Sequence, residues 1–502
     1  MKNIILTTLN ARYSHTSLGL RYLLANLKEL KKDTEILEFV INSSIQTIAE
    51  QILEKNPKII GIAVYIWNAF DVGELVKTIK KVSPKTIVVL GGPEVSYTPL
   101  RVNFDMADYI ICGEGEVSFY NLCRELIDGT CQQPRTITSP KVDLENIVLP
   151  YDDYTDFDIK NRHIYVENAR GCPFECEFCL SSIETKMRYL DIDVFLAEIE
   201  KLWLRGARNF KFIDRTFNIK ISYAKAILNY FLAKEEEYFL HFEVIPDNFP
   251  EELRDLIKQF KKGCLQLEVG IQTLNLDVAK QIHRNLKIYK IKDNLKFLSQ
   301  ETHAHMHIDL IIGLPSETIE SFGKNLNLLY TLSTGEIQVG ILKKLSGTTL
   351  DRHDKIYGMV YNDSPPYDIL QNDLISFAKM QEMKRFARFW DIVYNSGNFQ
   401  KTTALLFEDG KVFEHFYDLS KWLYKRSEST YKISLDRMAE FLFEYMSKNH
   451  DEELIANTIL QDVMGVGGRK IPPFLKKIIP LNYDFAQKDV SKANKRQQLR
   501  SD

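Results

Sequence analysis

Short apolar runs alternate with amphipathic helical segments twice along this 502-residue chain, and that alternation limits the folds open to it. Between residues 1 and 135 the strand candidates are "NIILTTL" (3–9), "TEILEFV" (34–40), "KIIGIAVYI" (58–66), "TIVVLGG" (86–92) and "ADYIICGEGE" (107–116). Segments with helical spacing follow them: "SLGLRYLLANLKEL", "IQTIAEQILEK", "DVGELVKTIKKV" and "VSFYNLCRELIDG". Near-continuous apolar strands, each followed by an amphipathic helix, predict a parallel sheet covered on both faces. Residues 1–135 are therefore expected to form a Rossmann-like, doubly wound α/β domain. Such domains bind ligands beyond the carboxyl ends of their strands, near a switch point in strand order.

Residues 136–162 have little periodicity and read as an extended linker. A second alternating region, 163–350, opens at "HIYVENARGC". Its further strand candidates are "NFKFID" (209–214), "YFLHFEVI" (238–245), "CLQLEVGIQ" (264–272), "HMHIDLIIG" (305–313) and "EIQVGIL" (336–342). Six strand–helix units predict a partial (β/α)6 barrel, since a full eight-unit barrel needs more chain. From 351 to 502 the pattern turns α-helical with no convincing strands. There "DSPPYD" (363–368) reads as a lid loop or linker, and the aromatics of "RFWDIVYNSGNF" (388–399) read as core. The polar end "KDVSKANKRQQLRSD" reads as a solvated, frayed terminus.

A net charge of −3 and a pI near 6.4 give no global pull toward nucleic acid or an anionic membrane. The longest apolar stretch, "IIGIAVYIWNAF" (59–70), is well short of the roughly 20 residues that span a bilayer. The amino-terminal apolar run is too short for a signal peptide and lacks a small-residue cleavage site. A cytoplasmic protein without membrane or nucleic-acid partners is expected.

Seven cysteines are too few for a disulfide framework. Cys112, Cys123, Cys131 and Cys264 are scattered and read as small buried hydrophobes. Cys172, Cys176 and Cys179 fall within eight positions of "NARGCPFECEFC". In a reducing compartment, clustered thiols point to metal or redox chemistry. A structural zinc site takes four ligands, and no fourth Cys or His lies nearby in sequence. Iron–sulfur clusters normally take four thiolates. Three on one loop hold three irons of a cubane and leave the fourth open to a cofactor or substrate. A zinc knuckle or a redox dithiol is the alternative.

"GCPFECEFC" resembles the CxxxCxΦC signature of the radical S-adenosylmethionine (SAM) superfamily, with Phe178 as the aromatic. The resemblance implies a 4Fe-4S cluster on Cys172, Cys176 and Cys179, with SAM chelated at the open iron and cleaved to methionine and a 5′-deoxyadenosyl radical. It also implies cofactor contacts from "FKFIDRTFN" (Asp214), from "LEVGIQTLN" (Glu268 and Gln272), and from "HIDLIIGLPSET". The last resembles the Gly-x-Ile-x-Gly element that holds adenine at Gly313, with Asp309 in place of the first glycine. The plainer reading makes Asp214, Glu268 and Gln272 strand-end polar groups satisfied by the backbone, and Gly313 a turn glycine.

A Rossmann-like domain ahead of such a barrel resembles the cobalamin-binding class of the superfamily. In "GGPEVSYTP", Gly91 and Gly92 would let the backbone approach a bulky ligand; in "CGEGEVSF", Gly113 and Glu114 would open the next helix. Cobalamin-dependent mutases carry Asp-x-His-x-x-Gly, whereas "YSHTSLG" (13–19) has Tyr13 in place of the Asp and its glycine one residue late. His15 is therefore read as a loop or capping residue, and Tyr65, or another residue of "AVYIWN", as the group beneath the corrin. The resemblance implies a cobalamin-dependent methyltransferase; alternatives are a cyclase or rearrangement enzyme with the same cofactors, or a non-catalytic sensor. A methylthiotransferase would carry three further cysteines at other places and a carboxy-terminal β-barrel. Implied partners are a small-molecule or peptide substrate and an electron donor such as flavodoxin or ferredoxin.

Overall fold

The computed structural model of the chain describes residues 3–466 and 469–479, so the polar terminus discussed above lies outside the described residues. The first sheet contains β1 (Ile4–Asn10), β2 (Thr34–Val40), β3 (Ile59–Ala63), β4 (Ile87–Gly91), β5 (Tyr109–Cys112) and β6 (Thr136–Thr138). All are parallel, in the order β2-β1-β3-β4-β5-β6. Every residue of β1 is buried because helices cover both faces. Ile5, Leu9, Ile60 and Leu90 pack toward the helices Ile45–Leu53 and Ala69–Val82; Ile4, Leu6, Ile59 and Val89 pack toward Leu18–Ala25 and Glu116–Asp128. The strand order reverses between β1 and β3, which places the switch point there.

The expected linker is corrected in two places. Its first three residues form β6, which completes the sheet beyond the boundary drawn at 135. Near its end a short helix, Asp156–Asn161, starts at a capping box of Thr155 and Asp158. Tyr151 and Tyr154 are fully buried in the barrel core, so this segment is packed structure.

The second sheet comprises β7 (Ile164–Val166), β10 (Asn209–Phe212), β11 (Phe239–Val244), β12 (Leu265–Gln272), β13 (His305–Ile312) and β14 (Glu336–Ile341). A small antiparallel ribbon, β8 (Ala169–Arg170) with β9 (Arg188–Tyr189), lies between the first two. The six main strands are parallel in the order β14-β13-β12-β11-β10-β7, giving the expected partial barrel. Side chains alternate strictly along them. Phe210, Phe212, Leu240, Phe242, Leu267, Val269 and Ile308 face the outer helices in the core, while Lys211, His241, Glu268 and Asp309 occupy the intervening positions that face the lumen.

An open barrel leaves a strand edge to be covered. Here the helix Phe377–Trp390 runs into a π-helical turn, Asp391–Asn395, against β14. Asn395 accepts from the Ile337 amide at 3.0 Å and donates to its carbonyl at 2.9 Å, and Trp390 Nε1 donates to the same carbonyl. The aromatic run is core, as expected: Trp390, Val393 and Phe399 are fully buried. The strand-free expectation is corrected by a two-stranded ribbon, β15 (Val360–Tyr361) with β16 (Ile369–Gln371). "DSPPYD" lies between these strands, and its Tyr367 is buried, donates to Glu94 of the first domain and lies 4.4 Å under Arg101. No helix among the described residues is long and apolar enough to cross a membrane.

Two buried polar groups lock this assembly. Arg21 pairs with Glu38 and Asp158, both at 2.9 Å, and Arg162 joins Glu38 at 3.1 Å, tying the first domain to the helix that precedes the barrel. Removing one member of a buried network strands the others without a partner, so Arg21→Met should destabilise the fold by about 3–5 kcal/mol in denaturant titrations. A loss below about 1 kcal/mol would show that these carboxylates are solvated, as in an exposed pair.

Glu317 is the second group; it accepts from Thr273 Oγ1, Ser321 Oγ and Asn325 Nδ2 at 2.7, 3.2 and 2.9 Å. Burial raises its pKa from 4.5 to about 7. A carboxyl with a raised folded pKa stabilises below its unfolded value, and that contribution is lost as pH rises through the folded value. Between about pH 4.5 and 7.5 the wild type should therefore lose about 3 kcal/mol relative to Glu317→Gln. Unfolding curves across that range test this; parallel pH profiles would contradict it.

Candidate functional site

The three thiols lie on one loop at the barrel mouth. After β7 the chain passes Glu167 and Asn168, forms β8, and enters the cysteine loop, which β9 closes by pairing back on β8. The Cys172 amide donates to Glu184 O at 2.9 Å and the Cys179 amide to Cys176 O at 3.0 Å. Phe178 packs against the barrel core. Glu177, between two of the cysteines, is buried and holds His353 Nε2 at 2.5 Å and Arg352 Nε at 2.6 Å. Residues beyond the barrel thereby fasten the loop from behind.

All three thiols are free. Burial raises the Cys172 and Cys176 pKa values, and at Cys176 the Arg284 guanidinium opposes that rise, donating to Sγ at 3.3 Å. Arg284 also donates to Gly270 O at 2.6 Å, joining the loop to β12. Among the described residues no three His, Cys, Asp or Glu side chains converge as ligands of one metal ion. A cubane takes one thiolate on each iron, so its ligands stand farther apart than those of a mononuclear zinc centre. The loop fits the cluster in number, burial and neighbouring positive charge.

Asp214 follows β10, is buried, and accepts from the Asn168 amide at 3.1 and 3.2 Å; burial raises its pKa to about 7. Its carboxylate is turned to the backbone leading into the cysteine loop. Glu268 accepts from His241 Nε2 at 3.1 Å. Burial works to raise its pKa, but His241, His307 and Lys211 outweigh that and hold it at about 2. Gln272 sits at a bulge ending β12 with φ +68°, a strained setting for a side-chain-bearing residue. At Gly313 a Cβ would meet Ile369 Cγ2 at 2.7 Å, so the close approach requiring glycine is to β16.

A cavity of about 290 Å3 opens between the first domain and the barrel. Gly91, Gly92, Gly113 and Glu114 all border it, along with Leu20, Gly61 and Tyr65; the barrel contributes Glu167, Arg170 and Ile213. At Gly92, φ is +104° and a Cβ would meet Val64 O at 2.6 Å, so no other residue lets this turn close beside the cavity. Two buried polar atoms on its lining, Tyr22 OH and Glu116 Oε2, have no partner. Tyr65 stacks on Trp67 with ring centroids 4.5 Å apart. An apolar slot with glycine edges and two spare polar atoms fits a large flat cofactor with polar substituents. His15 lies elsewhere: its Nδ1 is 2.5 Å from Tyr165 OH of β7, and burial, with Lys211, His163 and Arg12 nearby, lowers its pKa to about 4.

Glu114 borders the cavity, but its carboxylate is held by Arg188 and by the Val142 amide at 2.7 Å. Sequence reasoning missed Arg170, Glu177 and Arg284. Arg170 pairs with Glu116 across the domain boundary at 2.7 Å and with Glu167 at 2.8 Å. Its position two residues before Cys172 was the available signal; Arg284 had none, because the thiol it meets, Cys176, lies 108 positions away.

Residues 4–123 match the B12 binding domain and residues 167–329 the radical SAM superfamily; residues 355–501 match a family described as a protein of unknown function (DUF4080). Among curated proteins, an uncharacterized methyltransferase of Pyrococcus horikoshii is 25% identical over 365 residues, 66% of this chain and 77% of its own. The cobalamin-dependent radical SAM methyltransferase TokK of Streptomyces tokunonensis is 26% identical over 363 residues, 63% of this chain and 51% of its own. The solved structure of the cobalamin-dependent SAM radical enzyme OxsB, with aqua-cobalamin and SAM bound, aligns with a TM-score of 0.62 at 15% identity, covering 91% of this chain and 78% of that one. The chain therefore combines a B12-binding domain with a radical SAM domain.

Proposed function

We propose that this chain is a cobalamin-dependent radical SAM enzyme that transfers a methyl group to an unactivated centre of a small-molecule or peptide substrate. One observation carries the reading: Arg170, two residues ahead of Cys172, lines the interdomain cavity and pairs there with Glu116. The thiol loop and the cavity are therefore adjacent. When bound, a 4Fe-4S cluster on Cys172, Cys176 and Cys179 supplies the electron that splits SAM into methionine and a 5′-deoxyadenosyl radical, and cobalamin supplies the methyl group.

The chain's own work is positioning and exclusion of water. Arg284 holds Cys176 against β12, Asp214 fixes the backbone that leads into the loop, and Phe178 anchors the loop in the core. Glu268 and Gln272, on the mouth side of β12, and Gly313, at the end of β13, are the positions assigned to SAM. Gly91, Gly92, Gly113, Glu114 and Tyr65 line the cavity that would hold the corrinoid. An electron carrier such as flavodoxin or ferredoxin would approach the exposed rim of the loop at Phe174.

Cyclisation or rearrangement with the same cofactors is separated from methyl transfer by product mass, since methyl transfer adds one CH2. The relatives named as methyltransferases favour the latter. Replacing Cys172, Cys176 and Cys179 together by Ala should abolish iron binding and 5′-deoxyadenosine formation while leaving the fold intact by circular dichroism. Deoxyadenosine still formed by that variant would contradict the assignment.

A further inference from the structure

We infer that the barrel lumen carries an anion site beside the first domain, built by Lys211, Arg12, His163 and His241, which takes the carboxylate or phosphate group of the substrate. The inference rests on the reading of the chain as an enzyme with a bound substrate. Lys211 is in the middle of β10, between Phe210 and Phe212, which are buried in the outer core. Its side chain therefore faces the lumen, in register with Tyr165 of β7 on one side and His241 of β11 on the other. Tyr165 meets His15 from the first domain, and the His15 and His163 rings are 5.9 Å apart. Arg12 comes from the same loop as His15.

This gathering of basic groups is only partly matched by counter-charge. Among the described residues neither Lys211 nor the Arg12 guanidinium has an ion-pair or hydrogen-bond partner, and Lys211 is half-buried. His241 is only 8% exposed; Glu268 takes its Nε2, while its Nδ1 has no partner. Glu268 faces this group and is shared with His307; Glu243 of β11 also acts on His241 but is paired with Arg215, and burial beside Glu268 raises the pKa of Asp309. Burial lowers the Lys211 pKa, Glu268 opposes that shift, and Arg12 adds to it. Like charges brought together in a partly desolvated place repel, and a charge without a counter-ion there is unfavourable. An anionic ligand group would relieve both costs and supply the missing acceptor. Lys211 lies at the level of Gln266, two residues deeper along the strands than Glu268. A substrate anchored there by its anionic end would extend toward the barrel mouth and the cysteine loop.

The test is calorimetric titration of the full-length chain with inorganic phosphate and with acetate at low ionic strength. It is run with and without hydroxocobalamin, and melting temperatures are measured in parallel. Wild type should bind phosphate or acetate, and Lys211→Met should weaken that binding by about 10-fold or more. Arg12→Gln should weaken it too. The melting temperature should rise with phosphate in wild type and rise less in Lys211→Met. Preference between the two anions names the substrate group. Absence of binding to wild type, or equal binding and equal thermal stabilisation by the anion in Lys211→Met, would overturn the site. Loss of anion binding when hydroxocobalamin is added would assign the cations to the corrinoid and overturn the substrate role. None of these readouts needs the cluster, so failure here is separable from failure to form deoxyadenosine.

Discussion

Arg170 sits where three requirements meet. It belongs to the short ribbon that closes the cysteine loop, it lines the interdomain cavity, and its guanidinium is shared by Glu116 of the first domain and Glu167 of the barrel. Its guanidinium also lies 4.8 Å from the Tyr22 ring centroid, a further contact with the first domain. A planar guanidinium with several donors can satisfy partners on both domains at once in a way a lysine cannot. The relative placement of thiols and cavity follows from this junction, and chemistry shared between two cofactors depends on that placement. Arg188 with Glu114, and Arg21 with Glu38 and Asp158, repeat the arrangement at neighbouring points of the boundary.

The strands of both sheets were legible because burial on both faces leaves long apolar runs; β2, read as 34–40, is Thr34–Val40. β6 escaped notice because it is three residues long at a sheet edge, with its two threonines exposed. The ribbon of β15 and β16 is equally short and its turn holds Pro365 and Pro366, which reads as linker. The cysteine loop was legible because its ligands are local in sequence. The cavity lining was legible only in its glycines. Arg170, Arg284 and Glu177 acquire meaning through partners 54 to 176 positions away, such as Glu116, Cys176 and His353. Spacing along the chain carries no trace of such contacts.

The carboxy-terminal region is best understood as part of the barrel's construction. A six-stranded barrel leaves β14 with unpaired backbone groups, and Asn395 and Trp390 satisfy those of Ile337. The segment before these helices reaches back to both cofactor loops, through His353 to Glu177 and through Tyr367 to Glu94. Ser346 adds a hydrogen bond to Pro99 O at 3.2 Å. This segment therefore ties the cysteine loop and the Gly91–Gly92 turn to one stretch of chain.

The central claim is that one chain holds both a cluster and a corrinoid across a single boundary. The direct measurement is anaerobic purification with hydroxocobalamin and SAM present, followed by desalting and determination of bound iron and cobalt with their visible spectra. The account predicts about four irons and about one cobalamin per chain. Iron without cobalamin would leave the interdomain cavity unexplained and contradict the two-cofactor reading.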